Sequence, residues 1–122
     1  MRQVAIVNRN NTAILGNCVD VAETKAERLK GLLGTRCLPL GHGLLLRPCN
    51  GVHTYGMCYS IDVLFLDEEY RVVEIVPDMW PMRIARNCAS TMVLELPAGT
   101  AAMTGTETGH TLMEFGPDQI CP

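Results

Sequence analysis

The sequence has few aromatic side chains, no excess of positive charge and no long apolar run. Each shortage removes a class of function. One Trp, three Tyr and two Phe in 122 residues cannot build a platform on which successive bases stack. Ten Lys and Arg against thirteen Asp and Glu leave a net charge of −3. The basic residues are scattered, so no stripe follows a phosphate backbone. Nucleic acid is therefore not an expected partner. No apolar stretch approaches the length of a bilayer span, so no membrane span is expected either. The opening stretch, MRQVAIVNRNNTAILGNCVD, lacks the apolar core of a secretory signal. AILGNC suggests a lipoprotein cleavage site at Cys18, but no apolar segment precedes it. A cytoplasmic location is the expectation.

What is present argues for one folded domain over residues 1–122. Hydrophobic residues make up 48% and charged residues 19%, a balance that supports a core and excludes disorder. The chain is long enough to fold without staples. Six cysteines (Cys18, Cys37, Cys49, Cys58, Cys88 and Cys121) are irregularly spaced. Reduced thiols that fill space are expected of them.

RQVAIVN alternates as a strand, RNN is a turn, and TAILG returns as the second arm of a hairpin. CVDVAE reads as a further short strand. Thr24 and Glu27 have the spacing of a capping box. Ala26, Leu29, Leu32 and Leu33 then recur on one helical face, and Gly34 supplies the stop. The spacing predicts a helix over 25–33. LLL at 44–46 is a buried strand. IDVLFLD and YRVVEIV form a hairpin around Glu68 and Glu69, widened to include Asp67 because Glu does not favour positive φ. PDMWPMRIARNCAS is irregular, TMVLELPAG is a strand and GHTLMEF is a last one. The expected class is α+β: predominantly antiparallel β, compact and barrel-like, with one main helix at about 25–33.

Four ordered stretches, ERLKGLLGTRCLP, GLLL, HTYGMCYSIDVLFLDEEYRVVEIV and VLELPAG, closely resemble the domain-of-unknown-function 192 (DUF192) family over about residues 20–115. The resemblance implies a compact, mostly β domain with one main helix. It hands over no activity, and the cofactor stays open. Many relatives look exported or membrane-anchored, and the expectation here is a departure from them, without a leader.

The candidate chemistry gathers in GVHTYGMCYSIDVLFLD. Asp62 shares a strand face with Leu64 and Leu66, and Ile61, Val63 and Phe65 take the other, so the strand is covered on both sides. A carboxylate in such a strand needs donors, because an unpaired buried charge costs several kcal/mol. Glu95 in MVLELP poses the same problem, and Arg36 and Arg47 are the candidate partners. The plainer role for Asp62 is to fix a turn by accepting backbone N–H groups. Cys49, His53 and Met57 recur every four residues beside Cys58, a soft set suited to Cu(I). Gly51, Gly56 and Pro48 oppose the helix that would align them, and no C-x-x-C pair marks zinc, so no metal ligand is assigned. His42 and His110 are loop and strand-end residues. GTETG lacks the Lys of a phosphate loop.

Three functional readings follow. The first is a small-ligand-binding module with a pocket where the 51–62 segment meets LELPAG. Its polar contacts are His53, Asp62, Glu95 and Arg36, and its apolar walls are Tyr55, Met57 and Trp80. The second is a thiol- or metal-dependent enzyme using His53 with Cys58 or Asp62. The third is an assembly or scaffold protein, marked by an exposed apolar patch.

Overall fold

The computed structural model describes residues 1–116. Nine strands and two short helices follow one another: β1 (Arg2–Asn8), β2 (Ile14–Ala22), α1 (Lys25–Lys30), β3 (His42–Leu46), β4 (Gly51–His53), β5 (Ile61–Leu66), β6 (Val72–Met79), β7 (Ile84–Arg86), β8 (Met92–Pro97), α2 (Thr100–Met103) and β9 (Leu112–Phe115). Seven strands make one sheet in the order β6-β5-β8-β3-β2-β1-β9, and β4 and β7 form a separate ribbon. Only β2 and β3 run parallel; the other neighbours are antiparallel. The large sheet curls until its two edges meet at an Arg71–Thr111 bridge. There the Val72 N–H donates to His110 O and the Leu112 N–H to Tyr70 O. The result is a half-barrel pinched together at one end.

The two-residue period of the strands sorts side chains to the two faces of this sheet. One apolar cluster draws on all seven strands, with Val4, Leu15, Leu45, Leu64, Val72, Leu94 and Leu112 among its members, and fills the curl. A second cluster lies on the opposite face, where Leu44, Leu46, Val63, Phe65 and Val93 are covered by Leu32 and flanked by Val52 and Ala85. β5 and β8 are buried along their whole lengths because both faces are covered.

Several local expectations change. TAILG and CVDVAE are one nine-residue strand, β2. The 51–53 segment, given no strand by the sequence, and 84–86, in a stretch expected to be irregular, pair as the ribbon. The 5–6 hairpin does widen, with Asp67 Oδ1 accepting the Glu69 and Arg71 N–H groups. The helix expected over 25–33 is shorter, Lys25–Lys30, and is no main helix. The capping box forms as expected, with Thr24 Oγ1 accepting the Glu27 N–H and Glu27 Oε1 the Thr24 N–H. However, α1 stops after six residues, at Gly31 with φ 50°, a conformation that L side chains rarely adopt. α1 buries no residue. Leu29 stays 70% exposed, and the turn beyond Gly31 is what swings Leu32 into the second cluster. A six-residue helix has little stability of its own, so it is held here by its cap and its flanks. No helix among the described residues is long and apolar enough to cross a membrane.

Candidate functional site

β8 alternates between the faces, so Leu94 and Leu96 enter the curl while Val93 and Glu95 point the other way. Glu95 lies opposite Leu44 of β3 and Val63 of β5. It is 4% exposed, and no donor among the described residues bonds its carboxyl. The carboxyl instead faces a cavity of about 360 Å³ between the β8 face, α1 and β4. Burial in this apolar setting pushes Glu95 up to about 7, since desolvation disfavours the charged form.

Leu32, Leu46, Val52 and Met57 give the cavity an apolar wall. Cys49 adds a thiol that donates to Gly51 O at 3.1 Å. Burial raises its pKa, and the neighbouring Glu95 charge raises it further. His53 lies at the exposed rim, stacked on Tyr55 with ring centroids 5.3 Å apart. The segment is held in place by buried Thr54. Its hydroxyl donates to Trp80 O at 2.6 Å and accepts the Arg83 N–H at 2.9 Å, which ties the end of β4 to the chain before β7. Lys25, Arg28 and Lys30 border the cavity from α1. Their bearing on the cavity follows from where α1 docks, which no local pattern announces.

Of the expected site residues, His53, Met57 and Glu95 share this cavity, whereas Tyr55 stacks on the His53 ring and lines no part of it. Asp62 does not join them. It is 1% exposed on the opposite face of the sheet, where Oδ1 accepts the Asp78 N–H and Oδ2 the Ala101 N–H, each at 2.9 Å. A one-residue bulge in β6 between Val76 and Met79 brings the Asp78 N–H there. Ala101 brings the other from the start of α2. Asp62 therefore fixes a strand bulge, where a turn was expected, and a helix start, and a His53–Asp62 pair is excluded because the sheet lies between them. Arg36 is exposed on the loop after α1 and lines no part of the cavity. Arg47 pairs with Glu23 and Glu114 instead of either buried carboxylate. Trp80 lines a separate hollow with Met79, Arg83 and Ile84, on a surface where Trp80, Met82 and Ile84 are all exposed.

No group of three or more His, Cys, Asp or Glu among the described residues is placed to hold a metal ion. His53 and exposed Cys58 share no hydrogen bond. The described cysteines are all free, and Cys121 lies outside the described residues.

A curled, mostly antiparallel half-barrel with a cavity on its outer face defines a small β-rich domain. The chain belongs to the DUF192 family, described as Uncharacterized ACR, which matches residues 5–113. No curated protein matches it. Two solved structures share the fold. One is a protein of unknown function from Novosphingobium aromaticivorans DSM 12444, 21% identical, with a TM-score of 0.78 over 91% of this chain and 83% of that one. The other, from Sinorhizobium meliloti 1021, is described as a proposed transcription regulator. It is 23% identical, with a TM-score of 0.80 over 92% of each chain.

Proposed function

We propose that the domain is a small-ligand-binding module, with the cavity between α1, β4 and β8 as its site and Glu95 as the polar anchor. The observation that carries this reading is the Glu95 carboxyl itself, on a residue only 4% exposed, with no donor among the described residues and open to the cavity. A buried polar group without a partner costs about 1–3 kcal/mol, and more when charged. A ligand donor that satisfied it would recover that cost on binding. An apolar wall with a few placed polar groups is the usual constitution of such a site, and the volume lies within the range for small ligands. His53 and Met57 line the wall, and Tyr55 steadies the His53 ring. Asp62 and Arg36 take no part.

A fragment screen read by amide chemical shifts tests the proposal. Binding fragments are expected to move the Gly51, Val52, His53 and Glu95 amides, and to lose that effect in Glu95→Gln and in a cavity-filling Val52→Trp variant. Fragments that perturb only other surfaces, or none at all, would remove the assignment.

A further inference from the structure

Charge around the cavity is segregated by sign. Lys25, Arg28 and Lys30 stand on the α1 side, and none pairs with a carboxylate among the described residues. Glu23, the acidic residue just before α1, is held by Arg2 and Arg47. Arg28 donates only to the Glu23 carbonyl oxygen. Among the described residues Glu95 is the one acidic side chain in the lining, and it is buried. Cys49 lines the same cavity, its thiol influenced by both the Glu95 charge and the Arg28 charge. The intervening wall is apolar.

Simple ligands fit this arrangement badly. A monocation is repelled by the three helix cations before it reaches Glu95. A monoanion is held by those cations but repelled by an ionised Glu95 beyond them. A neutral apolar molecule leaves Glu95 buried without a donor, the costly state. A molecule with an ammonium at one end and an anionic group at the other satisfies both ends at once. The volume of about 360 Å³ equals roughly a dozen water volumes, room for a short molecule of this kind.

We propose that the cavity takes a short amphoteric ligand. Its ammonium donates to the Glu95 carboxylate, and its carboxylate or phosphate is held by Arg28 with Lys25 and Lys30. This rests on the cavity being a ligand site, and it adds the chemical class.

The test is a nitrogen-15 amide titration of the full chain with glycine, β-alanine, γ-aminobutyrate, ε-aminocaproate and phosphoethanolamine. Butylamine and butyrate serve as the single-charge controls. At least one amphoteric probe is expected to bind about tenfold or more tightly than both controls, with shifts at Gly51–His53. Comparison of phosphoethanolamine with the amino acids decides between phosphate and carboxylate. Glu95→Gln is expected to reduce amphoteric affinity at least tenfold while leaving butyrate unweakened. Arg28→Gln, a change at a partly exposed residue, is expected to narrow the gap between γ-aminobutyrate and butylamine. Equal binding of either control and the best amphoteric probe overturns the class and leaves the cavity as a site. Silence of every probe here, with fragments still binding in the screen above, also overturns the class alone.

Discussion

Asp62 and Glu95 are buried carboxylates on neighbouring strands of the same sheet, and they differ in nearly everything else. Asp62 meets two backbone N–H groups, one delivered by a bulge and one by a helix start. Glu95 meets none among the described residues and opens onto a cavity. The sheet separates them, because Asp62 faces the curl with Leu64 while Glu95 faces outward with Val63. A carboxylate satisfied on both oxygens holds structure and is closed to a ligand. A carboxylate left without donors is a stability cost that a binding partner can offset. Burial alone does not distinguish the two roles; the destination of each oxygen does.

The sharpest way to break the comparison is to remove Asp62. Asp62→Ala strands the Ala101 and Asp78 N–H groups and should cost about 3–5 kcal/mol, read as a shift of the urea midpoint at unchanged slope. A loss below about 1 kcal/mol would mean that Asp62 is not a clamp. Glu95→Gln should act in the opposite direction. The folded state keeps the Glu95 proton up to about pH 7, while the unfolded chain releases it near the ordinary carboxylate value. The stability contributed by Glu95 is therefore full below that ordinary value and is lost as pH rises through about 7. His53, Cys49, Tyr59 and the three α1 cations are the other titratable groups around this cavity or coupled to it. At about pH 8, Glu95→Gln should be about 2 kcal/mol more stable than the parent, with a flatter stability profile between about pH 5 and 8. Unfolding curves at several pH values check this, and an unchanged slope would contradict it.

A smaller effect should appear at Cys49. An ionised Glu95 helps to hold that thiol above its ordinary pKa. In Glu95→Gln, Cys49 should alkylate about two- to threefold faster at about pH 8, with exposed Cys58 unchanged as internal control. The smallest effect belongs to the α1 side of the cavity. Leu29→Ala should alter stability by no more than about 0.5 kcal/mol, because Leu29 is exposed. A loss of 2 kcal/mol or more, typical of core truncations, would restore the longer helix.

The strands were legible because each needs only a local two-residue alternation, and the β5 faces are as IDVLFLD implies. The same alternation already assigned Asp62 to the face of Leu64 and Leu66. The helix was overextended because Leu29, Leu32 and Leu33 have helical spacing, and nothing in that spacing says that Gly31 takes positive φ. The ribbon was missed because Gly51–His53 and Ile84–Arg86 are three-residue strands that exist only by pairing across a long chain separation.

Sequence alone therefore determined the membership of the family, the β-rich class, the capping box and the oddity of two acidic residues in apolar strands, since all of these are written in short-range spacing. Tertiary structure alone decided which acid is satisfied and which is not. Hydrogen-bond partners for Asp62 come from residues 16 and 39 positions away. The hollow before Glu95 exists only where α1, β4 and β8 dock, and such distant convergence has no signature in any local stretch of chain.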